Sequence, residues 1–173
     1  MTLILKGNRV ANIGKALGMK VLFAERKGVP ESAVREGKTK FTSVISSATV
    51  LMITLPLTPS TLSMISSAEF DLMRPEALLI NVARGGIVDE PALVSALKEK
   101  KLAGAATDVY VQEPAGKDNV LIQAASEDWM TGRLVLSPHL AWLASSSIEK
   151  LRRTTKENVE AWWRGEAQNI VLQ

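Results

Sequence analysis

The sequence predicts an α/β protein built on a doubly wound, mostly parallel sheet, with a long amphipathic helix near its C-terminus. Three observations indicate this fold class. Short apolar runs recur along the chain, helix-like segments separate them, and apolar residues follow a helical spacing near the C-terminus. Strand and helix patterns in alternation are typical of parallel sheets with helices on their faces.

Five runs of strand length are apolar at consecutive positions instead of alternating with polar residues. Such runs suit strands that are covered on both faces, as in a parallel sheet. They are MKVLFA (19–24), TVLMITL (49–55), ALLINVA (77–83), GAATDVY (104–110) and RLVLSP (133–138). The polar stretch RKGVPESAVREGKTK (26–40) is instead typical of a loop or a weak helix.

Helical patterns lie before the first of these runs, between later runs and after the last of them. The segments are VANIGKALG (10–18), SSAEFDLM (66–73), DEPALVSALKEKK (89–101) and SSSIEKLRRTTKENVEAWWRG (145–165). In the third segment, Asp89 can cap the helix N-terminus and Pro91 suits its first turn. The last segment predicts a long amphipathic helix, because its apolar residues share one face. These residues are Ile148, Leu151, Val159 and Trp162.

Composition bounds the kinds of partner that this chain can have. Its 173 residues are 46% hydrophobic, which is enough apolar material for one sizeable core. The absence of cysteine excludes disulfides and thiolate metal sites and favours a reducing, cytoplasmic location. No metal site is predicted. The net charge of +3 comes without a dense basic run, so no nucleic-acid partner is predicted. No apolar run approaches the roughly 18 residues of a membrane span, so no membrane partner is predicted either.

Chemistry is expected where the strands end, because open parallel sheets bind ligands beyond the carboxyl ends of their strands. The notable residues that follow the five runs are Glu25, Pro56, Arg84, Glu113 and His139. If the sheet is parallel, an acid, a fixed cation and a candidate base share one edge.

Glu25 lies 18 residues after Gly7. An acidic residue about 20 positions beyond a glycine turn binds the ribose hydroxyls of NAD in dinucleotide folds. The neighbouring Arg26 and Lys27 could instead face the 2′-phosphate of NADP. A solvent-exposed glutamate without a ligand is the alternative interpretation, and the spacing alone does not decide between them.

The three remaining polar residues suit an acid–base reaction on a carboxylate substrate. His139 is the only histidine of the chain, and Glu113 could orient its ring and favour its charged form. Arg84 offers a planar fork of donors that matches a carboxylate, and Gly85 and Gly86 after it would allow close approach of backbone and ligand. Taken singly, a surface salt bridge explains Arg84 and a turn explains the two glycines.

Longer motifs show that the chain resembles the D-isomer-specific 2-hydroxyacid dehydrogenase family. The resemblance runs from about Gly7 to Val171. It is carried by GMKVLFAERKG, LPLTPSTLSMISSAEFDLMRPEALLINVARGGIVDEPAL, AGAATDVYVQEP, SPHLAW and NVEAWWRGEAQNIV. The pieces AERKG and SPHLAW are most similar to the glycerate dehydrogenase, or hydroxypyruvate reductase, branch.

The resemblance implies a Rossmann-type cofactor domain that uses NAD, with NADP possible. In it, Arg84 would contact the substrate carboxylate and carbonyl, and His139, aligned and kept protonated by Glu113, would exchange a proton with the substrate oxygen. The cofactor would deliver hydride to a 2-oxo acid. The cofactor-binding positions implied are Gly7, Glu25, Arg26, Pro56, Thr61, Ala83 and Asp108. Trp142 matches a substrate-proximal aromatic residue of that branch, although core packing explains it equally well.

The glycine fingerprint G-x-G-x-x-G departs from the family pattern. If Gly7 is its last glycine, Thr2 and Ile4 occupy the first two glycine positions. Two alternatives follow: the fingerprint is ungapped and no residues are left for the first strand, or TLIL is that strand and the phosphate loop is deleted. Both predict weakened cofactor binding, because neither gives the pyrophosphate a glycine-lined approach to the backbone.

The family also implies a separate substrate domain, which we expect to be largely absent from this chain. Residues 1–143 are then the dinucleotide-binding domain with an incomplete first strand and glycine loop. Residues 144–173 form a helix and tail that would pack toward the substrate domain. The apolar face of this helix should therefore be exposed or covered by a partner chain, and the family also makes a homodimer possible.

Two functions from different classes follow. The first is an NAD(P)-dependent oxidoreductase that interconverts a small D-2-hydroxy acid and its 2-oxo acid, of the glycerate/hydroxypyruvate type. The second is a noncatalytic dinucleotide-binding or interaction module of the same family. Arg84, Glu113 and His139 favour the enzyme, whereas the altered glycine loop favours the module.

Overall fold

A computed structural model describes residues 7–170 and the backbone of residues 2–5. The chain forms two compact units, Met1–His139 and Leu140–Gln173. The predicted functional boundary between residues 143 and 144 stays a prediction.

The first unit contains a six-stranded sheet in which every strand pairing is parallel. In chain order the strands are β1 (Thr2–Leu5), β2 (Val21–Leu22), β3 (Val50–Ile53), β4 (Leu78–Asn81), β5 (Gly104–Thr107) and β6 (Leu134–Leu136). Their order across the sheet is β2-β1-β3-β4-β5-β6, so the chain crosses over β1 and the winding reverses between β1 and β3. The predicted doubly wound α/β fold is confirmed.

The first strand decides between the two alternatives for the glycine fingerprint. The TLIL segment is a strand, with Thr2 and Leu3 paired to β2 and all four residues paired to β3. Only residues 6 and 7 separate it from the first helix at Asn8. TLIL is therefore a strand, as the second alternative predicts. Loss of the phosphate loop stays a prediction.

In the described part of the chain, six α-helices accompany the strands: α1 (Asn8–Ala16), α2 (Phe41–Ser47), α3 (Ser67–Phe70), α4 (Glu90–Lys98), α5 (Val120–Ala125) and α6 (Ser145–Trp163). The predicted cap of α4 is present, because an Asp89 carboxylate oxygen accepts a hydrogen bond from the Ala92 N–H at 2.9 Å. Helices α2 and α5 have no counterpart among the sequence predictions. The polar stretch 26–40 holds a single 3₁₀ turn at Glu31–Ala33, as a loop or weak helix would.

The core lies against the middle strands. Leu51 and Ile53 of β3 and Leu79 of β4 are fully buried, and side chains from α2 and α4 cover them. The expectation that both faces of the strands are covered is only partly met, because Leu78 of β4 and Val135 of β6 are exposed. No helix among the described residues is long and apolar enough to cross a membrane.

Helix α6, in the second unit, exposes most of its apolar face. Leu151, Val159 and Trp162 are 61%, 61% and 70% exposed, and the adjacent Trp163 is 83% exposed. The predicted exposed apolar face is confirmed for the described chain. A partner that covers this face stays a prediction.

Candidate functional site

The carboxyl ends of the parallel strands bring the predicted residues to one edge of the sheet. An open cleft of about 370 Å³ lies there, next to the point where the winding reverses. This volume is within the range of small-molecule sites in proteins. Its lining comes from the segments that follow β3 and β4: Thr54, Leu55, Pro56, Val82, Ala83 and Arg84.

Arg84 is held in this cleft by the last residue of β4. The side chain of the buried Asn81 donates to the Arg84 carbonyl at 3.0 Å and accepts from the Ala83 N–H at 3.1 Å. These two bonds close a tight turn around Ala83. The Arg84 guanidinium is exposed and donates from Nη1 to the Ala83 carbonyl at 2.7 Å, which leaves further donors to face a ligand.

Gly85 has a structural role that differs from the predicted one. A Cβ at this position would lie 1.7 Å from the carbonyl oxygen of Tyr110. The missing side chain therefore allows close approach of the Arg84 turn to the backbone of the next loop. Close approach of a ligand at the two glycines stays a prediction. Gly86 has a φ of +80°, which a glycine adopts without strain.

Glu113 and His139 form the predicted pair. His139 Nδ1 lies 2.6 Å from Glu113 Oε2, while Oε1 accepts from the Tyr110 N–H at 3.0 Å. The hydrogen bond with His139, the bond from Tyr110 and the nearby charge of Arg84 lower the pKa of Glu113. The structure thus brings Arg84, Glu113 and His139 together.

The pairing determines which nitrogen of His139 can react. An ionised carboxylate only accepts hydrogen bonds, so Nδ1 carries a proton and Nε2 is the atom left for acid–base chemistry. The φ of His139 is +56°, an unfavourable value for a non-glycine residue, and such strain clusters at functional sites. The geometry is therefore that of an oriented general acid and base.

Other buried polar groups tie the site loops together, and the sequence predictions included none of these roles. The Glu90 carboxylate accepts from the Val111 N–H at 2.7 Å and from the Asn119 side chain at 2.8 Å. The Tyr110 hydroxyl donates to the Ser137 carbonyl at 3.0 Å. Glu90 and Tyr110 thus position the loops that carry Glu113 and His139. Their signal in the sequence is only that each lies near a strand or helix end.

Four of the predicted cofactor-binding residues lie along the same edge. Pro56 and Ala83 line the cleft, and Thr61 donates from Oγ1 to the Pro56 carbonyl at 2.9 Å, which closes the loop that follows β3. Asp108 is buried directly after β5 and accepts from Ser137 Oγ at 2.5 Å. Their contacts with a cofactor stay predictions.

The other predicted cofactor residues lie near β1 and β2. Gly7 directly precedes α1, and the Ala11 N–H donates to its carbonyl at 2.8 Å. Glu25 is buried and is bound by Arg35 through Nε at 2.7 Å and Nη2 at 2.5 Å. Arg26 is exposed, whereas Lys27 is engaged by Glu69 at 2.8 Å.

The Glu25–Arg35 pair predicts a specific loss of stability in acid. Hydrogen bonds from Arg35, and from the Arg26 backbone, lower the pKa of Glu25 from 4.5 to about 2. Because the folded pKa is the lower one, the contribution of the pair is complete above pH 4.5 and is lost as the pH falls toward about 2. Urea unfolding of the wild type should therefore lose more free energy across this range than that of Arg35→Ala.

The control for this prediction is Lys40→Ala, which removes a cation of the same loop from a 3.5 Å pair with the exposed Glu31. We expect its pH dependence to match the wild type. Equal pH dependence of the wild type and Arg35→Ala would contradict the assignment.

Trp142 lies in the second unit and is 52% exposed. Core packing therefore does not account for it in the described chain. Its proximity to a substrate stays a prediction.

Comparison with known proteins identifies the family of the chain. The sequence profile of the D-isomer specific 2-hydroxyacid dehydrogenase, NAD binding domain, matches residues 6–141. The glycerate dehydrogenase of Methylorubrum extorquens is 36% identical over 165 residues, which are 95% of this chain and 49% of that protein. The chain thus spans about half the length of the curated relatives that it matches.

Two solved structures have the same fold. D-lactate dehydrogenase with NAD⁺ from Lactobacillus jensenii has a TM-score of 0.80 at 28% identity, covering 99% of this chain and 55% of that one. NADPH-dependent glyoxylate/hydroxypyruvate reductase from Sinorhizobium meliloti, in complex with NADP and malonate, has a TM-score of 0.76 at 26% identity, covering 94% and 50%. The chain belongs to the D-isomer specific 2-hydroxyacid dehydrogenase family and contains its NAD-binding domain.

Proposed function

We propose that this chain acts in the NAD(P)-dependent interconversion of a small D-2-hydroxy acid and its 2-oxo acid. The observation that carries the proposal is the 2.6 Å pair of His139 and Glu113 beside Arg84, at the carboxyl edge of the sheet in a domain that matches an NAD-binding family. An oriented histidine next to a carboxylate-binding arginine is what reduction of a 2-oxo acid requires of a protein.

The cleft fits the nicotinamide end of a dinucleotide. It is open, and its mixed lining lies between the carboxyl ends of adjacent strands next to the reversal of winding. Pro56, Ala83 and Asp108 would hold this end of the cofactor. When bound, the nicotinamide supplies or accepts the hydride.

The residues of the chain supply binding and proton transfer. The exposed guanidinium of Arg84 would bind the substrate carboxylate through paired hydrogen bonds and orient the carbonyl group. In the reductive direction, His139 would give the proton on Nε2 to the carbonyl oxygen. Glu113 holds Nδ1–H and balances the charge of the imidazolium, so that the ring keeps its orientation while it loses and regains the other proton.

The substrate proposed is hydroxypyruvate or glycerate. It rests on the similarity of AERKG and SPHLAW to the glycerate dehydrogenase branch and on the names of the similar proteins from Methylorubrum extorquens and Sinorhizobium meliloti. Trp142 is the residue proposed to lie near this substrate. A cytoplasmic location and a homodimer, or a partner chain that covers α6, complete the proposal.

A second candidate function is a noncatalytic dinucleotide-binding or interaction module. The observation that favours it is the connection between β1 and α1, which consists of residues 6 and 7 alone. A connection this short provides few backbone N–H groups for a pyrophosphate, so cofactor affinity should be low.

Turnover by the purified chain tests the proposal. We expect NADH or NADPH to be oxidised when hydroxypyruvate is added, with a higher kcat/KM than for pyruvate. Arg84→Gln should raise the KM for hydroxypyruvate by about 10- to 100-fold, because a charge-assisted hydrogen bond to the carboxylate is lost. Arg74→Gln removes an equal charge from an exposed pair with Glu76 and should leave the KM unchanged.

The other outcomes separate the two candidates. Cofactor binding without turnover would favour the noncatalytic module. Absence of both binding and turnover at millimolar cofactor would contradict the oxidoreductase and leave only a noncatalytic interaction module. A clear preference for glyoxylate over hydroxypyruvate would overturn the choice of substrate alone.

A further inference from the structure

Glu25 occupies the position at which an acidic residue recognises the ribose of NAD, but its hydrogen-bonding capacity is already filled. It accepts from the Arg26 N–H at 2.8 Å, the Arg35 N–H at 3.2 Å, Arg35 Nε at 2.7 Å and Arg35 Nη2 at 2.5 Å. A carboxylate offers roughly four acceptor sites, so these four donors leave none for two ribose hydroxyls.

The occupation is difficult to reverse. The Glu25 side chain is only 2% exposed, and Arg35 binds it with two parallel hydrogen bonds as well as opposite charge. A neutral diol that displaced Arg35 would exchange charged hydrogen bonds for weaker ones. It would also leave a buried carboxylate without its counter-ion.

The cations around Glu25 are available instead. The Arg35 side chain is 59% exposed, and its Nη1 group makes no hydrogen bond to the described residues. Arg26 is exposed, and its guanidinium has no ion-pair partner in the described part of the chain. Lys27 is not available, because Met64 and Glu69 hold it at 3.0 and 2.8 Å.

The charge balance at the end of β2 follows from these contacts. One carboxylate stands against two guanidinium groups, and the carboxylate is the buried member. An approaching ligand therefore meets positive charge and free planar donors, which suit a phosphate group.

We propose that the chain selects a dinucleotide with a 2′-phosphate, which Arg26 and the outer donors of Arg35 bind, and that Arg35 suppresses recognition of NAD by occupying Glu25. The inference rests on the proposed function, since it concerns the cofactor of that same site. Arg35 would thus determine which dinucleotide binds, whereas the sequence predicted that Glu25 would bind the ribose of NAD.

Isothermal titration of the full chain with NADPH and with NADH tests this inference. We expect the Kd for NADPH to be about tenfold or more below that for NADH, as one additional charge-assisted contact provides. Arg26→Ala should remove most of this preference by weakening NADPH binding alone. Arg35→Ala should weaken NADPH binding and strengthen NADH binding, because it frees Glu25.

The control is Arg74→Ala, which deletes an equal charge. Arg74 precedes β4 and so lies at the amino end of that strand, whereas the site lies at the carboxyl ends of the strands. Arg74→Ala should change neither Kd. Because Arg26 is exposed, Arg26→Ala should fold normally and keeps the test decisive if Arg35→Ala is unstable.

Equal or tighter binding of NADH by the wild type would overturn the inference and leave the proposed function intact. An NADPH preference that survives Arg26→Ala and Arg35→Ala would also overturn it. If neither dinucleotide binds at millimolar concentration, both the proposed function and the inference fail.

Discussion

Replacing His139 with glutamine is expected to lower the hydroxypyruvate turnover of the chain by about 10²- to 10⁴-fold, the usual contribution of a positioned general acid or base. Glutamine keeps a side-chain group that can hydrogen-bond to Glu113, whose Oε2 lies 2.6 Å from His139 Nδ1 in the wild type. Unlike histidine, it cannot exchange a proton at neutral pH. The loss should therefore fall on kcat, with little change in the KM. Steady-state kinetics with saturating cofactor measures both constants.

Two controls accompany this variant. The Kd for the dinucleotide and the urea unfolding curve should both match the wild type, because the His139 side chain is partly exposed. Turnover of His139→Gln within threefold of the wild type would exclude His139 as the acid.

Replacing Gly85 with alanine is expected to destabilise the first unit by about 3 kcal/mol or more, as overpacking against a backbone does. The new Cβ would lie 1.7 Å from the Tyr110 carbonyl oxygen and 2.6 Å from the Val111 nitrogen. One of the two loops must move, and the Tyr110 loop carries the N–H that binds Glu113. Turnover should therefore fall together with stability. Urea unfolding gives the change in free energy.

The matched control is Gly116→Ala, at which an added Cβ meets no atom within 4 Å. This change should alter the free energy of unfolding by no more than about 0.5 kcal/mol. If Gly85→Ala has an equally small effect, the close contact with Tyr110 does not exist in solution.

Much of the fold could be predicted because buried parallel strands appear in a sequence as runs of consecutive apolar residues. Each of the five predicted runs contains one of the strands β2 to β6. The helices α2 and α5 were missed because FTSVISS and VLIQAA are too short for a helical period to show, and their packing against the core stabilises them. The choice between the two alternatives for TLIL needed strand pairing, which is a long-range property.

The candidate site also contains residues whose place could be predicted from the sequence and residues whose contacts could not. Arg84, Glu113 and His139 could be predicted because parallel topology alone places strand ends on one edge. The contact of Gly85 with Tyr110 could not, because it joins loops from different parts of the chain. The same holds for Arg35, which lies ten residues from Glu25 in a polar loop that has no regular pattern. Local patterns identify chemical groups, whereas their partners depend on tertiary packing.

Transfer of deuterium tests the central claim most directly. The purified chain would be incubated with hydroxypyruvate and NADPH, or NADH, that carries deuterium at the transferable position of the nicotinamide, and the glycerate would be analysed by mass spectrometry and chiral chromatography. We predict D-glycerate labelled at the carbon that bore the carbonyl group, with the yield from His139→Gln lower by about 10²-fold or more. Unlabelled product, the L-isomer, or no glycerate above the level of the His139→Gln variant would contradict the account.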